Sequence, residues 1–295
     1  MLNGFINANK PSGISSNKLL NLIKHDIGGS KIGFVGTLDP LASGVLPICI
    51  GFATRLSDMI SEPVKEYIFT GNFGAETDTC DIEGKIICES KYDHVEEKNL
   101  DIFLKKLKKS YNQEAPIYSA LKVKGKKMYE LARQGIEVKP KVRKVKLIDF
   151  EIIDFEKPTF KIKILCSKGF YVRSLVRDIG RNLGTHAYLT SLIRTKSSGF
   201  DIKDSFSTDQ IKYHIDNGSV KNLITPIEKL LVNFKLVNLN KFESMKILNG
   251  NNLRKSMFNV KNNDKLIIFD DNSSIISIGE YIDDVIFPLK VVAHD

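Results

Sequence analysis

The sequence has no tryptophan, and its four cysteines, Cys49, Cys80, Cys88 and Cys166, never stand as a C-x-x-C pair. That pattern argues against a disulfide framework and against a cysteine zinc site. His25, His94, His186, His214 and His294 show no metal-ligand spacing, so no metal is expected. No G-x-G-x-x-G and no Walker-type loop is present, which argues against a dinucleotide or nucleoside triphosphate cofactor. No apolar run approaches the roughly 18 residues of a membrane span. The first residues carry no basic region ahead of a signal core, so the expectation is a cytoplasmic protein without a membrane partner. What is present is ordinary: 42% hydrophobic and 27% charged residues in 295, enough for one large domain and a small one.

The charge is unevenly spread. The net charge is +9, yet residues 105–146 hold fourteen Lys/Arg and three acids, so this window alone is +11 and the rest is −2. Tyr111, Tyr118 and Tyr129 are interleaved with the basic residues. A solvated lysine-rich face is one reading; a local basic patch with aromatics favours a nucleic-acid partner. Residues 231–295 carry eight basic and eight acidic residues, a net charge of zero.

Along the chain, residues 4–11 read as a strand ending at Pro11. Ser15 and Ser16 precede Leu19, Leu20, Ile23 and Ile27 at helical spacing, and Gly28-Gly29 stops the helix. Residues 52–61 read as a short helix. Residues 65–73 alternate, with Tyr67, Phe69 and Phe73 on one face of a strand. Residues 95–109 read as a basic amphipathic helix, and 112–143 as an inserted arm without periodicity. Two strands follow, 145–154 and 159–167. Gly169 then turns the chain into a helix whose Val172, Leu175, Val176, Ile179 and Leu183 form a core stripe. Residues 186–195 read as a strand, 226–232 as a linker, and the remainder as short β-rich segments. Mixed elements without strict alternation suggest an α+β fold with a largely antiparallel sheet.

The most informative stretch is Gly33–Gly51. Four glycines and two prolines punctuate an apolar run with one formal charge, Asp39. Pro40 biases Asp39 toward an extended backbone. Alone, Asp39 reads as an Asx-turn residue or as a fixed carboxylate suited to nucleophilic or electrostatic work. The string GTLDPLASGVLPICIG resembles the catalytic motif of the bacterial TruB-type family of tRNA pseudouridine-55 synthases. Five further words resemble the same family in order: Asn9–Gly13, Lys65-Glu66-Tyr67, Thr77–Gly84, Ala115–Lys122 and Lys168–Arg173.

The resemblance implies a pseudouridine synthase fold, with an RNA-binding thumb at about 112–144. It implies a catalytic domain over 1–230 and a small PUA-like RNA-binding domain over 231–295. It places Asp39 as the catalytic carboxylate, Arg173 as its partner and Tyr67 as the residue stacking on the target base. By their residues alone, Arg173 also fits a surface ion pair and Tyr67 an ordinary strand aromatic. Tyr171 and Leu192 match residues lining the uracil pocket, though Leu192 equally fits a core position. Lys10 and Pro11 match the active-site floor, and Asp81 a position near flipped-out nucleotides or a plain turn acid. Lys122, Lys126, Lys127, Arg133 and Arg143 are expected to meet phosphates. Phe34 stands where the family usually has a histidine that fills the flipped base's place. Asn9 stands where an aspartate is usual.

The leading reading is therefore a stand-alone isomerase acting on uridine 55 in the T loop of tRNA, with no cofactor and no guide RNA, and as a monomer. A tRNA-folding helper without activity is the second, prompted by Phe34. A guide-RNA-dependent relative is the third, disfavoured by the long basic arm. A DNA-binding module is the least supported, since no helix-turn-helix or zinc-finger signature appears.

Overall fold

Alternating apolar residues build one central sheet, and helical stripes cover a face of it. In the computed structural model the described residues are 2–24, 27, 29–60, 64–118, 122–123, 125–128, 131, 134, 136 and 140–292. The chain opens with β1 (Gly4–Lys10), α1 (Ser16–Lys24), β2 (Ile32–Phe34) and β3 (Ser43–Ile50). The expected helix after β3 is a tighter 3₁₀ turn, Gly51–Leu56. There follow β4 (Val64–Phe73), β5 (Ala75–Thr77), β6 (Ile86–Glu89) and α2 (Glu97–Lys109).

The arm departs from expectation at both ends. Residues read as aperiodic form β7 (Tyr111–Glu114) and β10 (Val142–Val145), paired antiparallel as a stem. Between them β8 (Lys122–Val123) and β9 (Lys126–Lys127) make a two-residue ribbon. Two residues of alternation are too few to be visible in a sequence. Then come β11 (Leu147–Glu156), β12 (Thr159–Ser167), α3 (Val172–Asn182), β13 (Ala187–Ser197) and β14 (Phe200–Asp201).

The central sheet runs β1-β3-β13-β4-β12-β11, with β2 and β14 paired at its flank. Every pair is antiparallel except β13 on β3. Leu19 and Ile23 of α1, Leu100 and Leu104 of α2, and Leu175 and Ile179 of α3 share one buried cluster with Phe69, Phe160 and Ile162 of the sheet. β1 is buried along nearly its whole length, which is what a strand covered on both faces requires.

The far face of β1 and β3 meets the C-terminal part. There β15 (Lys235–Asn238), β16 (Leu253–Arg254), β17 (Lys265–Phe269), β18 (Ile275–Ile282) and β19 (Val285–Val291) form a second sheet, ordered β15-β17-β18-β19-β16. Ile267 and Ile278 pack with Phe5, Val45 and Cys49. Ile227 and Leu231 lie in the same cluster, so the segment read as a linker is packed, and Ile227–Leu230 is a helical turn. Short apolar segments flanked by polar residues do not reveal in sequence that a second sheet will cover them.

Candidate active site

Asp39 sits in the loop between β2 and β3, and almost every backbone group around it is tied down. Ser16 Oγ accepts from the Leu38 N–H and donates to its carbonyl, each at 2.9 Å. Gly13 N–H donates to the Pro40 carbonyl at 2.9 Å. Ser12 Oγ donates to the Leu41 carbonyl at 2.7 Å. Lys10 Nζ donates to the carbonyls of Pro11, Ile14 and Pro40. Burial lowers Lys10 to about 8, against the opposing pull of Asp39 and Glu83. On the other flank, Arg194 Nε and Nη2 donate to the carbonyls of Val45 and Gly36 at 2.8 and 2.9 Å. Gly44, at φ +102°, lies against the Arg194 carbonyl where no Cβ fits. Asp39 is thus a solvent-reaching carboxylate, 41% exposed, on an immobilised loop.

Arg173 comes from the first turn of α3. Its Nε lies 2.9 Å from Asp39 Oδ2 as a charge contact without the alignment of a hydrogen bond. Its Nη1 lies 3.4 Å from Asp81 Oδ2 and donates to the Thr79 carbonyl, while Nη2 donates to the Tyr118 carbonyl in the arm. Asp81 is buried and accepts from Thr79 Oγ1 at 2.6 Å and the Glu83 N–H at 3.1 Å. The turn acid of the sequence reading is therefore a fixed counter-charge for Arg173.

The start of α3 is stitched to the arm's stem. Gln113, 1% exposed, accepts from the Tyr171 N–H at 2.8 Å and donates to its carbonyl at 2.9 Å. Ser174 Oγ donates to the Glu114 carbonyl at 2.6 Å. Tyr171 is half-buried at the helix N-cap.

Tyr67 lies on β4 directly opposite Arg194. Burial raises its phenol's pKa, and the Arg194 guanidinium opposes that rise. Leu192 is buried opposite Phe69 on the same ladder, within the main core cluster. Phe34 is half-buried on β2, paired with Ile48. Arg143 is exposed on β10, with its Nη1 close to Gly169. Lys122, Lys126 and Lys127 fall on the β8–β9 ribbon, and Arg133 lies outside the described residues.

Asp39 and Asp81 come from two loops, Arg173 from α3 and Tyr67 from β4, and a carboxylate beside a buried guanidinium can meet an electron-poor carbon. Sequence reasoning gave no site role to Ser16, Gln113 or Arg194. Ser16, Gln113 and Arg194 act on backbone groups far away in the chain, which leaves no residue pattern to read.

Residues 24–172 match the model of the TruB family pseudouridylate synthase N-terminal domain. Residues 173–232 match the model of the tRNA pseudouridylate synthase B C-terminal domain. A Clostridium kluyveri protein named tRNA pseudouridine synthase B is 35% identical over 280 residues, 94% of this chain and 95% of that one. Its Caldanaerobacter subterraneus namesake is 38% identical over 94% and 95%. One from Francisella tularensis is 42% identical over 212 residues, 72% and 70% of the two chains. Among solved structures, a chain in an H/ACA RNP bound to a substrate RNA containing 2′-deoxyuridine shares the fold, with a TM-score of 0.69 at 20% identity over 99% of this chain and 85% of that one. A Cbf5-Nop10-Gar1 complex contains a second such chain, with a TM-score of 0.68 at 22% identity over 98% and 85%.

Proposed function

The chain belongs to the TruB family of pseudouridylate synthases, and from that premise we propose that it isomerises uridine 55 in the T loop of tRNA, with Asp39 as the carboxylate that meets ribose C1′. The enzyme is an isomerase acting on tRNA. The bond between uracil N1 and C1′ breaks with its electron pair on the base. The detached ring turns, C5 joins C1′, the C5 proton leaves, and N1 takes up a proton in its place. Atoms and electrons balance within one nucleotide, so the reaction needs no redox partner.

Asp39 takes up the electron deficiency at C1′, and the observation that carries this reading is the 2.9 Å approach of buried Arg173 to that exposed carboxylate. Asp81 holds Arg173 from a second side. Tyr67 stacks on the uracil and takes part in moving the C5 proton; Tyr171 and Leu192 shape the pocket. Lys10 fixes the floor through the Pro40 carbonyl. The target base has to leave its stack, at a cost of a few kcal/mol. Phe34 fills the vacated place, and the arm offsets the cost by phosphate contacts from Lys122, Lys126, Lys127, Arg133 and Arg143. Residues 1–230 act as the catalytic unit and 231–295 as a PUA-like RNA-binding unit, in a cytoplasmic monomer that needs no guide RNA.

The test is an unmodified tRNA transcript with no cofactor, metal or guide added, mapped for pseudouridine by carbodiimide labelling and primer extension. One new stop at position 55, absent with Asp39→Asn, is expected. Full turnover by Asp39→Asn removes the role given to Asp39. No stop with wild type, alongside tight binding, leaves a tRNA-binding protein instead.

A further inference from the structure

Beside Tyr67 the floor of the site carries two cations, and among the described residues no carboxylate forms an ion pair with either. Lys65 stands two residues before Tyr67 on β4, so both project from one face. Arg194 stands opposite Tyr67 on β13. Gly36, at φ +69°, lets them converge: a Cβ there would lie 3.0 Å from Lys65 Nζ and 3.5 Å from Arg194 Nη1. Arg194 is wholly buried; its guanidinium interacts with the Tyr67 phenol, and its Nη1 makes no hydrogen bond of good geometry. Among the described residues Lys65 makes no ion pair. Its neighbour Glu66 is engaged with Lys163 and Lys196. Lys168, exposed in the turn after β12, adds a third positive charge, and the Cys166 thiol lies across the ladder from Lys65. Burial and the Arg194 charge lower Lys65 to about 8. Like charges held together away from water are unfavourable unless an anion completes them.

We propose that Lys65 and Arg194, converging on Gly36, receive one phosphodiester of the RNA beside the target uridine, Lys65 touching the phosphate and Arg194 supplying a fixed charge behind it. This rests on the reading of the site as an RNA uridine isomerase. Gly36 lies three residues before Asp39, so a phosphate seated there sets the register of the ribose over the carboxylate.

The test measures Kd for the unmodified transcript against salt concentration at pH 7, with full-length wild type, Lys65→Gln and Lys65→Arg. Each phosphate contact contributes roughly 0.7–0.9 to the log–log slope. Lys65→Gln should lose about one contact and Lys65→Arg should keep it. Raising the pH to 9.5 should remove the same increment from wild type but not from Lys65→Arg. Lys10 titrates in that range too, but it is common to all three proteins and its Nζ is engaged by three carbonyls. Stem-loops carrying one methylphosphonate at a time then locate the phosphate: at one position the neutral linkage weakens wild type and adds nothing to Lys65→Gln. Equal slopes for wild type and Lys65→Gln, or additive losses at every position, overturn the site. Conversion of the same transcript by wild type is followed in parallel. Conversion with equal slopes removes the phosphate site alone; no conversion removes the isomerase reading and this inference with it.

Discussion

Asp81 Oδ2 lies 3.4 Å from Arg173 Nη1, and the two side chains are 5% and 7% exposed. Asp39, the other acid on this arginine, is 41% exposed. The arginine is therefore anchored by the hidden carboxylate and presented to the open one. Asp81→Asn should lower single-turnover rate on tRNA by about 10- to 100-fold through misplacement of Arg173, with tRNA affinity little changed. Rapid-quench tritium release and filter binding on the same preparation check both halves. A fall in affinity matching the fall in rate would place Asp81 in RNA binding instead.

Gln113 exchanges two hydrogen bonds with the backbone of Tyr171 and is buried. Gln113→Ala removes both bonds; the Tyr171 carbonyl still accepts from the Leu175 N–H at 3.1 Å, so the loss falls on the N–H side. Urea unfolding should show a loss of about 1–3 kcal/mol, the cost of one hydrogen bond taken from a part-buried donor, with the rate on tRNA falling as well, because α3 carries Arg173.

Lys10 has its pKa lowered from 10.5 to about 8 by burial. Between those values the unfolded chain holds a proton that the folded chain has released. Stability contributed by this group therefore rises with pH across that window and is lowest below pH 8. Wild type should gain about 1–2 kcal/mol relative to Lys10→Met between pH 7.5 and 9.5. Comparing the two proteins cancels the opposite trend from the Cys49 and Cys166 thiols, which burial pushes up to about 12. A pH-independent difference would mean that Lys10 is not titrating in its carbonyl cage.

Phe34→Ala removes the ring proposed to fill the place of the flipped base. If a few kcal/mol of extrusion depends on it, kcat/KM on tRNA should fall by about 10²-fold. Phe34→His should retain most of the rate. Equal rates for all three proteins would leave extrusion to the arm.

The parts legible in the sequence were those written locally. Strand β4 shows Tyr67, Phe69 and Phe73 on one face, and α3 shows its stripe, because both follow a period. The Asp39 loop stands out because its glycines and prolines surround one charge. Arg194 was not legible. It lies far along the chain from Gly36 and Val45 and binds their carbonyls, which any residue supplies. Gln113 was hidden for the same reason, since its partners are the backbone groups of Tyr171. The stem of the arm was missed because β7 and β10 are four residues each and pair across a long insertion. The packed segment at 227–231 read as a linker because its cover, Ile267 and Ile278, arrives later in the chain.

The one parallel pairing of the central sheet joins Ser43 and Gly44 of β3 to Ile193 and Arg194 of β13. These partners are far apart in the order of synthesis. While the chain is growing, the loop bearing Asp39 leaves the ribosome early and waits for β13 before its last braces can form. Pairings of such long sequence separation close slowly. The nascent chain thus carries an unfinished catalytic centre through about half of its synthesis, with the β3 edge open to wrong partners until β13 arrives.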